Sequence, residues 1–447
     1  MKHRFLNLVG ILVLISMLLG ACAPQATEAP ATDAPAPPDA PTTEPSAPTE
    51  APAMVEETVV IGFTSSLTGS QEVFSKRQVA GFNLWMNQVN DAGGIQLSDG
   101  TVVKFEAVTY DDESNKERVQ ELYTRLITED EADFLISPYS SGLTAAATIV
   151  AEQNGVVMIT AGAADDATYK TGNTSLFQLY TPGSLYLIST VDMLKTLDPE
   201  AQIAIVHEND KFSTSVVEGL KPYLESQGFE VVYEEGYASE TTDFSFVINK
   251  IVESGATVLL GGGHYPDGST FARQLYEREA GLKFVSLLTA PADSKFPELG
   301  DAALGVATSS QWELKATHTE EEAAALGIEW YGPGGPDFAA AHEAATGEKP
   351  TYHVAGGYVA GLVLQKAIED ADSIDPEKVK AALEAMDIFT FYGGIKFDTS
   401  EAAHGLQISH QMVVAQWQKN AAGELVREVI WPADVATADP LYPIPAP

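Results

Sequence analysis

Two serines stand side by side, Ser140 and Ser141 in "SPYSSGLT", where the apolar run "ADFLIS" gives way to helical spacing from about Gly142. A helix start presents unpaired backbone N–H groups, and two hydroxyls beside them suit a carboxylate or carbonyl oxygen. The same serines equally suit the task of capping that helix. His264, in "GGGHYPDG", could move a proton at another such turn, but it reads as a wall or surface histidine sooner than as a general base. Pro266 stands where the third glycine of a dinucleotide fingerprint belongs. The chain has no His-x-x-x-His or Cys-x-x-Cys pattern, no G-x-S-x-G elbow and no P-loop. Neither an enzyme nor a cofactor or metal is therefore expected.

The elements that carry these turns alternate. "TVVIGFT" reads as a buried strand, the segment Glu72 to Asp91 has Val79, Phe82, Met86 and Val89 at helical spacing, and Gly93 and Gly94 stop it. "VVKFEAVTYDD", "ADFLIS" and "GVVMITA" follow with helices between them. The pattern resumes with "QIAIVHE", "FEVVYEEGY", "ATVLLGGG" and "KFVSLLTA". Alternating strands and helices build parallel sheets with crossover helices. This much chain exceeds what one open sheet organises, so the expected fold class is α/β with two Rossmann-like lobes joined by a multi-crossing hinge. The expected division is lobe 1 at residues 55–180 and 310–390, lobe 2 at 181–309 and 391–432, and a tail at 433–447. Ligands of such sheets sit beyond the carboxyl ends of strands, which places the serine turn at a cleft.

The only cysteine, Cys22, closes "FLNLVGILVLISMLLGAC", an apolar run behind Lys2 and Arg4 that is too short for a confident membrane span. Residues 1–21 read as a secretory signal, and Leu19, Gly20, Ala21 and Cys22 resemble the lipobox of bacterial lipoproteins. That resemblance implies a lipid thioether on Cys22 and anchorage in the bilayer. Residues 22–54 are rich in Pro, Ala and Thr with no apolar periodicity, so they read as a disordered tether. At about 3.1 Å per residue its extended reach is on the order of 100 Å. The chain carries 63 acidic against 25 basic side chains, a formal charge of −38. That field repels phosphate backbones, and no basic patch opposes it, so nucleic acid is not expected as a partner.

The segments "GFTSSLTGS", "YDDESNKERV", "SPYSSGLTAAA", "GVVMITAGAADD", "AIVHENDKFS" and "PTYHVAGGYVAGLVLQKAIE" occur in an order and spacing similar to those of type I periplasmic substrate-binding proteins of the leucine/isoleucine/valine-binding group, the soluble receptors of ABC importers. The likeness covers about residues 58 to 432. It implies that Ser140 and Ser141 hold the ligand's carboxylate, with Tyr139 in the same turn and the backbone of Ala163 and Ala164 beside them. It also implies departures, because Phe74, Phe212 and His264 stand where the family places tyrosines and Ala164 where it has threonine or serine. For the glutamate that pairs with an α-ammonium, "LLTAPADSK" offers only Asp293.

A pocket that keeps the serines but loses tyrosine hydroxyls suits a ligand with one polar head and an apolar or aromatic body, since an unpaired buried polar atom costs about 1 to 3 kcal/mol. The resemblance thus implies a monomeric, lipid-anchored, extracytoplasmic receptor that delivers an amino acid or related carboxylate or amide to an ABC permease. A ligand-sensing module for a signalling receptor is the alternative, with a secreted hydrolase behind it.

Overall fold

The computed structural model describes residues 55–446. Cys22, the signal 1–21 and the tether 22–54 lie outside the described residues. Six strands form the first sheet: β1 (Val55–Ser65), β2 (Ile95–Gln96), β3 (Thr101–Asp111), β4 (Phe134–Ile136), β5 (Met158–Thr160) and β6 (Leu176–Gln178). Their order is β2-β3-β1-β4-β5-β6, parallel except for β2. The second sheet is built from β7 (Gln202–Glu208), β8 (Glu230–Tyr237), β9 (Val258–Gly262), β10 (Phe284–Leu287) and β11 (Val306–Ser310). A small third sheet contains β12 (Glu329–Trp330), β13 (Asp387–Thr390) and β14 (Gly393–Lys396), after which β15 (Val413–Lys419) and β16 (Leu425–Trp431) return antiparallel to the second. These two sheets with flanking helices are the expected two α/β lobes.

Helix Glu72–Asp91 begins and ends where the periodicity puts it, and it buries Phe74, Phe82, Trp85 and Val89. The long apolar helix Tyr352–Ala371 returns from the second sheet to lie against it. Glycine makes that contact possible, because a Cβ at Gly81 would strike the Val354 carbonyl and one at Gly357 the Gln78 backbone. Trp85 Nε1 then donates to Gln365 across the seam at 2.9 Å.

The chain passes between the sheets three times, and the three passages are hydrogen-bonded to one another. Thr181 N–H donates to Gln311 Oε1 at 3.0 Å, Thr181 Oγ1 donates to the His410 carbonyl at 3.3 Å, and His410 Nε2 lies 2.9 Å from the Gln311 carbonyl. Tyr392 stacks flat on the His410 ring at 4.5 Å. Such a knot of short connections can absorb rotation while both sheets stay rigid.

Two parts of the chain depart from the expected division. The boundary at residue 390 falls inside a hairpin, since β13 pairs antiparallel with β14 and neither joins the second sheet. "GGIKFD" has a strand's composition, but nothing in that composition says which edge it meets. The segment expected as a tail is fastened: Ile444 N–H donates to the Lys283 carbonyl at 2.9 Å and Tyr442 Oη to Asp198 at 2.6 Å. Among the described residues, no helix is long and apolar enough to cross a membrane.

Candidate functional site

β4 ends at Ile136, and the chain turns through Tyr139 into helix Ser141–Asn154. Ser140 is the cap residue, with φ 87°, a left-handed value that a side chain tolerates only under constraint, and its hydroxyl accepts from Leu143 N–H at 3.4 Å. The Ser141 hydroxyl accepts from the N–H groups of Ala164 and Asp165, both at 3.1 Å, and so ties the turn after β5 to the turn after β4. Both serine oxygens therefore have partners inside the protein. Ala163 is buried and its carbonyl accepts from Gln178 Nε2 at 3.2 Å.

These turns face the second lobe across a small cavity lined by Tyr139, Ser140, Ser141, Gly162, Ala164, Tyr180, Tyr186, Phe212, His264, Thr289 and Tyr352. Its volume at water centres is about 10 Å³, close to the minimum for one water. Six sequence-expected residues thus meet in one place: Tyr139, Ser140, Ser141, Ala164, Phe212 and His264. Phe74 is set behind the lining, stacked on His353 at 3.9 Å and 5.4 Å from Tyr139, with Tyr265 of the second lobe at 6.0 Å. Asp293 is off the cavity altogether. It is fully buried, 3.4 Å from Arg77 Nε of the first lobe, and Arg77 also reaches Ser294 at 3.1 Å and pairs with Glu348.

Other contacts close the same interface. Lys211 Nζ, in the second lobe, lies 3.1 Å from Asp165, and Asp166 N–H donates to Ser215 Oγ at 3.2 Å. A larger concavity of about 620 Å³, under the fastened C-terminal segment by Leu275, Leu282 and Ile444, contains none of the site residues.

Two buried histidines stand on the opposite walls. His264 Nε2 lies 3.0 Å from Asp210 Oδ2. Burial opposes its charge, but the hydrogen bond and charge of Asp210, with Glu208 and Asp267 nearby, push the imidazole up to about 9. Glu208, at the end of β7, is pushed up to about 7 by burial, although His264 pulls the other way. His353 lies between Phe74 and Tyr352, each at 3.9 Å, and burial holds it well below the usual histidine range, with the Arg77 charge adding to the effect. His264 therefore presents an imidazolium to the cavity at neutral pH, whereas His353, which is not part of the lining, is a neutral ring packed against Tyr139 and Tyr352.

Sequence reading missed Tyr180, Tyr186, Thr289, Tyr352 and His353. It also missed the acids Glu208, Asp210 and Asp267 behind His264. Glu208 and Asp210 do carry a signal, since they stand at the carboxyl end of the strand "QIAIVHE", where ligands of such sheets sit. The tyrosines carry no such signal, because an aromatic residue on a helix or connection reads as core until the partner lobe is placed.

Residues 58–423 match the family described as Periplasmic binding protein. The chain belongs to that family. A leucine-, isoleucine-, valine-, threonine- and alanine-binding protein of Pseudomonas aeruginosa is 25% identical over 372 residues, 83% of this chain and 92% of its own length. Two solved structures share the fold. One is the branched-chain amino acid transporter substrate binding protein LivJ from Streptococcus pneumoniae in complex with isoleucine, with TM-score 0.68 and 21% identity over 84% of this chain and all of that one. The other is a solute binding protein of an ABC transporter from R. palustris in complex with 4-hydroxybenzoate, with TM-score 0.70 and 19% identity over 84% of this chain and 96% of that one.

Proposed function

We propose that this periplasmic binding protein is the extracytoplasmic solute receptor of an ABC importer, held at the membrane by a lipid on Cys22, and that its lobes close on one compact carboxylate or amide. The observation that carries the reading is the cavity itself. It joins the helix-start serines of one lobe to Phe212, His264 and Thr289 of the other, and its lining contains no carboxylate. An imidazolium with no acid in the lining favours an oxygen-bearing, anionic or strongly polarised head over a free ammonium. Isoleucine and 4-hydroxybenzoate, the ligands in the two structural relatives, share one carboxylate on an apolar body. Ligands of that size require the rings of Phe212 and Tyr186 to turn or the lobes to part, and the smallest carboxylates and amides require least.

Calorimetric titration with isoleucine, alanine, benzoate, 4-hydroxybenzoate, acetamide and urea tests this. One member should bind at one equivalent, and Ser140→Ala/Ser141→Ala should weaken it by about 2 to 4 kcal/mol, roughly 30- to 1000-fold. Failure of the whole panel, or a bound ligand indifferent to the double substitution, contradicts it.

A further inference from the structure

Behind the second-lobe wall, two turns converge on a group of acids that the solute cavity does not use. Glu208 ends β7, Asp210 caps helix Lys211–Gln227 by accepting from Ser213 N–H at 2.8 Å, and His264 precedes helix Tyr265–Glu277. One ligand atom from each of Glu208, Asp210 and His264 lies within 4.8 Å of the others. Glu208 is 4% exposed and its Oε2 has no hydrogen-bond partner, and His264 Nδ1 also has none. A buried carboxylate oxygen left without a donor is costly enough that such groups are normally paired or coordinated.

Charge makes the same point. Asp267, 5% exposed and hydrogen-bonded by Tyr237, adds a third acid to the group. Among the described residues no lysine or arginine pairs with any of the three, and the nearby Lys211 is engaged with Asp165. One histidine faces three carboxyl groups. Gly263 is shaped to this crowding, since a Cβ there would strike both Glu208 and Asp267.

We propose that Glu208, Asp210 and His264 bind one divalent transition-metal ion of the Zn²⁺ class. Two carboxylates and an imidazole are a donor set for zinc or manganese, and the imidazole disfavours calcium and magnesium. The ion neutralises the buried acids and fixes the His264 ring at the cavity wall, replacing the proton that would otherwise be shared between Asp210 and His264. Entry is by way of the cleft, because His264 lines the cavity that lobe separation would open. The sequence pattern, which led to no metal being expected, missed this because the ligands come from two strands' ends 54 residues apart. With the ion bound His264 is a neutral ligand and the ion, in place of the imidazolium proton, supplies the positive charge at the cavity wall; the test uses no solute.

The full chain, stripped with chelator and dialysed, is titrated with ZnCl₂ by calorimetry and melted with and without the ion. One equivalent should bind and raise the melting temperature. Glu208→Gln, which keeps the shape and removes the charge, and His264→Gln should each weaken binding at least about tenfold. His318→Gln, at a half-buried histidine paired with Glu322 and outside the cluster, should bind as the parent does. Melting of each variant in chelator shows that it has folded. The absence of a saturable site, or Zn²⁺ binding unchanged in both Glu208→Gln and His264→Gln, overturns the proposal and leaves a proton-sharing cluster.

Discussion

The two walls of the cleft hold a buried histidine each and treat it in opposite ways. On the first-lobe side His353 is stacked between Phe74 and Tyr352, and burial, with the Arg77 charge adding to it, keeps the ring neutral. On the second-lobe side Asp210 is 3.0 Å from His264, and its charge outweighs an equally complete burial. The first wall is neutral, and Ser141 there accepts from two N–H groups, while the Tyr180 hydroxyl and His353 Nδ1 lack partners. The second is charged, and Glu208 Oε2 and His264 Nδ1 lack partners as well. Equal burial thus leaves one histidine neutral and the other charged, and the difference is the carboxylate within hydrogen-bond distance of His264.

Several substitutions break or sharpen that contrast. The largest effect belongs to Arg77, the charge that bridges the walls: Arg77→Met leaves Asp293 buried without a cation only while the lobes are closed. That should cost the closed form about 3 to 5 kcal/mol, seen as a larger scattering radius. An unchanged radius would show that closure does not depend on this pair.

Ser141→Ala removes the acceptor from two buried N–H groups and should lower folding stability by about 2 to 4 kcal/mol in urea titration. Ser140→Gly loses a cap but relieves a φ of 87°, so it should be milder than Ser140→Ala. Equal losses would mean that the backbone there carries no strain.

Acid should act through the neutral histidines. His410, at the crossing of the connections, is pushed down to about 3 by burial, with His318 adding to it. The unfolded chain binds that proton near pH 6.5, whereas the folded one does not. Stability is therefore present above pH 6.5 and is lost as pH falls toward 3, by about 2 kcal/mol at pH 5 for this residue. His410→Gln should flatten that part of the acid limb, and an unaltered limb would place the loss elsewhere. The smallest effect is expected from Phe212→Tyr, whose added hydroxyl faces the cavity beside His264. It should shift solute affinity by about tenfold or less, read by calorimetry.

The lobes were legible in the sequence because each strand and helix carries its own period, and helix Glu72–Asp91 needed nothing beyond its apolar spacing and two glycines. The hairpin of β13 and β14 was not, because a short apolar strand does not encode its neighbour. At the site, Ser140 and Ser141 were legible from their place after a strand. What they bond to was not: the Ser141 hydroxyl meets a turn 23 residues onward, and only the fold sets that meeting. Phe74 illustrates the same limit, since its position in the sequence marks the cleft while its packing sets it behind His353.

Closure around a solute is the central step of the proposed function, so the most direct measurement is small-angle scattering of the protein before and after saturation with the panel member that binds. The radius of gyration should fall on binding and should fail to do so in Ser140→Ala/Ser141→Ala at the same solute concentration. Binding at one equivalent with an unchanged radius in the parent protein would contradict the clamp.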